Sequence, residues 1–361
     1  MTELPDVVEL LKQAVAAGAS DVHLCAGLPP SIRMKGAILP FHERILTRPE
    51  CREVILSILT EAQRARLERE LELDFGLQVA GVGRFRGNAH FSRGALEAAL
   101  RFIPEAIPSM DQLGHRPAIT QLCELTRGLV LVTGMTGSGK TTTLAAMLRR
   151  ISETREGVIV TIEDPIEFYF KSDRSIIKQR EIGSDTHSFP EALRHVLRQD
   201  PDVIMIGELR DQETLRAALT AAETGHLVLA TLHTNDAPQA LDRIVDFFPG
   251  DEQEQVLGQL ANALAGIVAQ RLVPSEDGLG RVMVSEFLAN NNAVKGCIRD
   301  HRFEQIVGLM EIGRKDGMHT FDDMLEELYL GRRISKEEAV AGARDPARIE
   351  ALLRTPIPKG K

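Results

Sequence analysis

Hydrophobic and polar positions alternate in two different ways along this chain. Over the first hundred residues the apolar stretches are short. Val7, Val8, Leu11 and Val15 fall on roughly one face of a helix over residues 6–17. Residues 20–24 and 30–34 read as strands, 48–70 as two helices, and 73–79, 83–91 and 95–103 as three successive strands divided by glycine-containing turns. These elements predict a small α+β domain over residues 1–104. Pro104, Pro108, Pro117 and Gly114 then punctuate the chain, and residues 105–117 are the expected interdomain linker.

From residue 118 to 361 the regime changes. Residues 129–133, 158–162, 203–206 and 227–232 are largely continuous apolar runs, as expected of strands covered on both faces. Helical patterns lie between them, so this second domain is predicted to be α/β, with a parallel sheet and crossover helices. From about residue 253 the chain reads as mostly helical, interrupted by a hairpin over residues 267–288.

Composition narrows the class. The chain has 361 residues, enough for two domains each with its own core, and 43% hydrophobic against 26% charged residues is ordinary for a globular protein. The formal charge of −9 speaks against non-specific nucleic-acid binding, which needs a surplus of Lys and Arg to neutralise phosphates. Cys25, Cys51, Cys123 and Cys297 form no Cys-x-x-Cys pair and read as buried thiols in a reducing cytoplasm. Residues 1–11 are acidic, which predicts no signal peptide, and no apolar run of about 18 residues predicts a membrane span. Any membrane role is expected through a partner.

One motif carries chemistry by itself. Gly134-Met135-Thr136-Gly137-Ser138-Gly139-Lys140-Thr141 matches Gly-x-x-x-x-Gly-Lys-Thr, after an apolar strand and before a predicted helix. Glycines let the backbone N–H groups close on phosphate oxygens, and the helix N-terminus favours negative charge. Lys140 is expected on the β- and γ-phosphates and the Thr141 hydroxyl on Mg²⁺, so the implied ligands are ATP and Mg²⁺. Gly134, Thr136, Gly137, Ser138, Gly139, Lys140, Thr141 and Thr142 are the expected nucleotide-binding residues, joined by His226.

Acids and histidines follow at strand ends. Glu163 and Asp164 come directly after one buried strand and Glu208 after another, the edge where open α/β sheets place ligands. Such carboxylates hold Mg²⁺ through water or polarise the attacking water, and the residues alone do not divide those two tasks. His233 ends the strand over 227–232 and His226 precedes it; His233 reads as a hydrogen-bonding sensor of the γ-phosphate or of Glu208. A histidine-pair metal site lacks a Cys or carboxylate at ligand spacing.

Together with Thr161-Ile162-Glu163-Asp164-Pro165-Ile166-Glu167, Gln179-Arg180-Glu181, Arg198-Gln199-Asp200-Pro201-Asp202, Gly207-Glu208-Leu209-Arg210-Asp211 and Ala221-Ala222-Glu223-Thr224-Gly225-His226…Leu232-His233-Thr234, the P-loop makes this chain resemble the type II/type IV secretion ATPase superfamily. Within it the likeness is to the pilus-retraction branch, and it extends from Ser20 to Leu328. The resemblance implies a PAS-like N-terminal α+β domain, a RecA-like P-loop NTPase domain, and a cytoplasmic homohexamer with ATP between subunits. It further implies Glu163 as general base, Glu208 as the Walker B acid on the metal, and arginines of the first domain as groups that stabilise γ-phosphate charge, the candidates being Arg84, Arg86, Arg93 and Arg101, with Arg86 and Arg101 foremost.

The activity so implied is ATP hydrolysis driving type IV pilus retraction and twitching motility through an inner-membrane platform protein of the PilC kind, without direct membrane insertion. Retraction members usually carry Ala-Ile-Arg-Asn-Leu-Ile-Arg-Glu near the C-terminus. Here Ala293-Val294-Lys295-Gly296-Cys297-Ile298-Arg299-Asp300 keeps the alanine, Ile298, Arg299 and an acid but replaces Asn and Leu, so an auxiliary retraction paralogue is an alternative. Two rivals lie further off: a RecA-like motor on DNA, disfavoured by the acidic balance, and a nucleotide-gated ring with little turnover, disfavoured by intact Glu163 and Glu208.

Overall fold

The computed structural model describes residues 6–34, 36–103, 106–278 and 280–352. Contacts divide the chain into two units: Met1–Ala106 with Pro165–Tyr169, and Ile107–Asp164 with Phe170–Lys361.

The first unit opens with α1 (Val7–Ala16), whose Asp6 side chain accepts the Val8 N–H and whose Val7, Leu10, Leu11 and Ala14 are buried. Strands β1 (Asp21–Leu24), β2 (Ser31–Met34) and β3 (Ala37–Pro40) precede α2 (Arg48–Ser57) and α3 (Glu61–Glu70). Both of these helices start in a capping box, Thr47 with Glu50 and Thr60 with Gln63. Strands β4 (Glu72–Val79), β5 (Gly83–Ser92) and β6 (Ala95–Ile103) complete an antiparallel sheet of order β3-β2-β1-β6-β5-β4. Apolar residues on one face, among them Phe75, Phe85, Ala89 and Leu100, pack with the helices. Strand β3 is absent from the sequence reading because Ala37-Ile38-Leu39-Pro40 is only four residues long, ends in proline and shows no apolar–polar alternation; all four residues are exposed on the sheet edge.

The register of this sheet sets Arg86 directly opposite Arg101, and Arg101 opposite Asp21. Two like charges facing across a strand pair repel. Carboxylates offset the repulsion here: Arg101 Nε donates to Asp21 Oδ1 at 2.8 Å, and Arg86 Nη1 reaches Glu167 Oε1 at 3.4 Å. Burial pushes the Asp21 carboxyl up, but hydrogen bonds from Ser20 and Arg101 and the Arg101 charge outweigh it and hold the pKa below the ordinary value.

The second unit contains α4 (Pro117–Gln121), β7 (Gly128–Thr133), α5 (Lys140–Thr154), β8 (Gly157–Glu163), β9 (Ser175–Glu181), α6 (Phe189–Val196), β10 (Val203–Ile206), α7 (Gln212–Glu223), β11 (Leu227–Leu232), α8 (Ala237–Asp246) and α9 (Gly250–Ala263). The hairpin β12 (Leu264–Pro274) and β13 (Arg281–Ala289) follows, then α10 (Asn292–Arg299), α11 (Ile306–Ile312), α12 (Phe321–Leu330), α13 (Lys336–Gly342) and α14 (Pro346–Leu352). The sheet order is β13-β12-β7-β11-β10-β8-β9. All neighbours run parallel except the β12–β13 hairpin.

Strands β7, β10 and β11 are buried at every position, which explains their unbroken apolar runs. Alternate residues serve opposite faces. Val130 and Val132 pack with Leu144, Met147 and Ile151 of α5, while Leu129 and Leu131 pack with α7 and α9 through Leu219 and Leu260. Strand β9 escaped the sequence reading: it is an edge strand, and Lys178, Gln179, Arg180 and Glu181 leave it too polar to stand out. The expected linker is packed in part, since Met110 and His115 are buried in this unit; Pro104 and Glu105 lie outside the described residues.

Candidate active site at the carboxyl edge of the parallel sheet

Parallel strands all present their carboxyl ends to one edge, and here those of β7, β11, β10 and β8 are followed by the P-loop, His233, Glu208 and Asp164, with Glu163 the last residue of β8. Strand order makes His233 the immediate neighbour of the P-loop, Glu208 two strand spacings away, roughly 10 Å, and Glu163 three.

The loop itself is shaped by backbone geometry only glycine tolerates well. Gly134, Gly137 and Gly139 have φ of 147°, 80° and 91°. At Gly134 a Cβ would also come within 2.3 Å of the Gln270 carbonyl oxygen and 2.4 Å of Ser138 Oγ. Helix α5 then begins with no side-chain cap, so the amides of Lys140, Thr141 and Thr142 open its positive end toward the loop. Lys140 is buried, and its Nζ donates to the carbonyls of Gly134 at 2.8 Å and Met135 at 3.2 Å. Thr141 and Thr142 are half-buried in the first turn, while Thr136 and Gly137 are exposed.

One observation fits this cradle to phosphate. The buried hydroxyls of Ser138 and Thr133 have no hydrogen-bond partner within the protein, which at a P-loop leaves donors for phosphate oxygens. Among the described residues no group of three or more His, Cys, Asp or Glu side chains could hold a metal by itself. Mg²⁺ in a P-loop does not need one, because the Thr hydroxyl and the phosphates supply oxygens.

His233 links the loop to the acid. Its Nε2 lies 3.3 Å from Glu208 Oε1 and its Nδ1 3.5 Å from Thr136 Oγ1. Burial and the nearby Lys140 ammonium hold the His233 pKa below its ordinary value, against an upward pull from Glu208. The neutral ring therefore carries its proton on Nε2, toward the carboxylate, and accepts from Thr136 at Nδ1. Glu208 also accepts from Arg210 Nε at 2.7 Å, and Arg210 Nη1 lies 3.7 Å from Asp164. Glu163 is buried, and its Oε1 accepts from Thr161 Oγ1 at 2.6 Å and Gln179 Nε2 at 3.2 Å.

His226 does not join this group. It stands just before the amino end of β11, its carbonyl accepting the Gly128 N–H at 3.0 Å, and the six-residue strand puts it roughly 20 Å from His233. Its Nδ1 is instead within 3.0 Å of the Ala221 carbonyl and 3.3 Å of Thr224 Oγ1, closing the turn after α7. Both histidines belong to one short motif, but a strand separates them, so the expected nucleotide-binding residue His226 lies away from the P-loop edge of this chain. Arg86 and Arg101 lie in the first unit with the carboxylate partners already described.

Gln270 is the site residue the sequence reading missed. It is a buried polar residue in the apolar strand β12, and its Nε2 donates to the Ser138 carbonyl of the P-loop at 2.9 Å. A glutamine inside an apolar run was the available signal. An open cleft of 720 Å³ lined by Arg116, His319, Asp323 and Glu327 contains none of the expected site residues.

A model of the family described as Type II/IV secretion system protein matches residues 4–337. The chain belongs to that family. It is 43% identical to the Type IV pilus retractation ATPase PilT of Pseudomonas aeruginosa over 94% of this chain and 99% of that protein. The Type IV pilus ATPase PilU of the same organism is 42% identical over 96% of this chain and 91% of its own length. The crystal structure of the pilus retraction motor PilT with bound ADP superposes with a TM-score of 0.89, 44% identity, and coverage of 96% of this chain and 99% of that one. The α/β architecture with its N-terminal α+β unit is thus the architecture of this secretion family.

The segment at 293–300 that departs from the retraction pattern forms most of α10. Val294, Cys297 and Ile298 are buried, and Arg299 Nη2 donates to Asn262 of α9 at 2.8 Å. Gly296 sits in mid-helix with no atom near the place of a Cβ, so it weakens the helix by about 1 kcal/mol relative to alanine without serving any close approach.

Proposed function

We propose that this chain is an ATPase of a type IV pilus motor, hydrolysing ATP to ADP and phosphate to drive pilus retraction. The observation that carries this reading is the single edge on which the P-loop, His233 and Glu208 meet, in a chain that aligns nearly end to end with a pilus retraction ATPase bound to ADP in its crystal structure.

In this reading the P-loop amides and Lys140 bind the phosphates, and the Thr141 hydroxyl and Glu208 are the residues that would hold Mg²⁺. Bound there, the metal would supply charge neutralisation to the phosphates. Glu163, oriented by Thr161 and Gln179, takes the proton of the attacking water as general base. Neutral His233 reports the state of the γ-phosphate to Glu208 through its two ring nitrogens. Arg86 and Arg101, side by side on one sheet face, are the arginines offered to the nucleotide of a neighbouring copy in a homohexamer.

The work is done in the cytoplasm at the inner face of the inner membrane, on a platform protein. Among the described residues no helix is long and apolar enough to cross a membrane.

Deletion of the gene tests the reading. Excess, non-retracting surface pili are the expected result, restored to normal by the wild-type gene and not by Lys140→Ala; bald cells would instead assign the chain to assembly. The similarity to PilU and the altered α10 motif favour a second reading, an auxiliary retraction ATPase. In that case deletion alone leaves twitching largely intact and abolishes it only under load or beside loss of a second motor.

A further inference from the structure

A chain of buried side chains reaches the P-loop from the segment expected to be the linker. His115 Nε2 lies 3.0 Å from Thr143 Oγ1, Thr143 Oγ1 donates to Gln270 Oε1 at 2.9 Å, and Gln270 Nε2 donates to the Ser138 carbonyl at 2.9 Å. All three side chains belong to residues no more than 5% exposed. We propose that His115, Thr143 and Gln270 act together as a positioning relay that orients the Ser138–Gly139 peptide for phosphate binding. The inference rests on the ATPase reading and goes further, since it assigns roles to three residues outside the nucleotide-binding motif.

The direction of the relay follows from its fixed end. A backbone carbonyl can only accept, so the amide nitrogen of Gln270 must face Ser138 and its oxygen must face Thr143. Thr143 then spends its one proton on Gln270, and the hydroxyl oxygen is left to accept from His115. The His115 proton therefore sits on Nε2, with the ring neutral. Burial, with a smaller push from His319, lowers the His115 pKa to about 4 in agreement, and Nδ1 has no hydrogen-bond partner.

The consequence for phosphate binding is geometric. In a trans peptide the C=O and the following N–H point in opposite directions. With the Ser138 carbonyl held against β12, the Gly139 N–H is turned to the other side, into the loop. Gly139 has φ of 91°, so its plane is not fixed by a side chain of its own and depends on this anchor. Strand β12 supports the loop a second time through the Gln270 carbonyl, against which Gly134 packs too closely for any Cβ.

A Gly139 amide that contacts phosphate throughout the reaction contributes binding that is equal in the ground and transition states. Losing it raises KM and leaves kcat. The experiment measures fluorescent-ADP binding and Mg-ATP turnover for the full chain and for Thr143→Val, Thr143→Ser, Gln270→Leu and Gln270→Glu. Thr143→Val and Gln270→Leu are expected to raise Kd and KM about tenfold with kcat within about twofold, a change the size of one lost hydrogen bond. Thr143→Ser, which restores the hydroxyl, binds as wild type does. Gln270→Glu recovers affinity by about threefold or more between pH 8 and pH 6 relative to Gln270→Leu, because only its protonated carboxyl can donate to Ser138.

A purely structural role gives a different pattern. Fewer folded sites lower the binding amplitude and apparent kcat while Kd per site stays constant, and that result overturns the relay. So does wild-type affinity in Thr143→Val and Gln270→Leu. A wild-type chain that binds and turns over no nucleotide overturns the ATPase reading and the relay with it, whereas a binding, active wild type beside unaffected variants overturns the relay alone.

Discussion

His233 Nε2 stands 3.3 Å from Glu208 Oε1 while its other nitrogen faces Thr136 of the P-loop, so one neutral ring spans the acid and the phosphate cradle. Replacing Glu208 by glutamine keeps the size of the side chain and removes its charge. Phosphate release from Glu208→Gln is expected to fall at least about 100-fold, with ADP affinity changed only a few-fold. Single-turnover phosphate release beside equilibrium ADP binding checks this; turnover near wild type would remove Glu208 from the chemistry.

The ring of His233 also predicts a pH dependence. Its pKa lies below the ordinary value, so the ring stays neutral through neutral pH and protonates only on acidification below about 6.5. Protonation puts a hydrogen on Nδ1, which can then no longer accept from Thr136. The pH profile of kcat should therefore carry an acid limb below about pH 6.5 that is missing from His233→Gln.

Lys140 is packed against the carbonyls of Gly134 and Met135 as well as being the expected phosphate ligand. Lys140→Ala is predicted to weaken ATP binding by at least about tenfold, the size of one charge-assisted hydrogen bond. Calorimetric titration with Mg-ATP measures it.

Glu286 gives a stability prediction independent of catalysis. Fully buried on β13, it accepts the Ala237 N–H at the start of α8 at 2.7 Å, and Arg344 lies 3.7 Å from its other oxygen. Burial raises its pKa to about 7, above the ordinary 4.5. A raised native pKa means that the folded state favours the protonated acid, so its contribution is full below pH 4.5 and is lost as pH rises through about 7. Glu286→Gln should thus match wild type near pH 4.5 and exceed it at pH 8, by up to about 3 kcal/mol. Urea unfolding at the two pH values decides; a variant less stable at pH 8 would show that the Arg344 pair outweighs the burial cost.

Buried histidines pull the other way. His319, buried and bonded to Ser285, has its pKa lowered to about 4, so the unfolded chain takes up a proton that the native one refuses between pH 6.5 and 4. Stability contributed by the neutral ring is present above pH 6.5 and falls on acidification by about 1.4 kcal/mol per pH unit. His319→Gln should flatten the acid side of the stability curve by that amount.

The amino-acid sequence by itself determined the elements whose cause is local. Apolar runs such as 129–133 and 227–232 announce strands covered on both faces, and the glycines of the P-loop announce backbone that side chains would obstruct. Strand ends carrying Glu163, Glu208 and His233 could be read for the same reason. What only the tertiary structure decided was pairing and direction. Strands β3 and β9 exist because a neighbouring strand supplies hydrogen bonds to edges whose side chains do not alternate between apolar and polar. His226 and His233 part because a strand runs between them, Arg86 meets Arg101 and Glu167 through sheet register and a return of the chain, and Gln270 meets Ser138 across 132 residues. Local pattern encodes which face of an element seeks the core, but the free energy of a particular long-range contact depends on every element that brings its two ends together, and no stretch of sequence displays that sum.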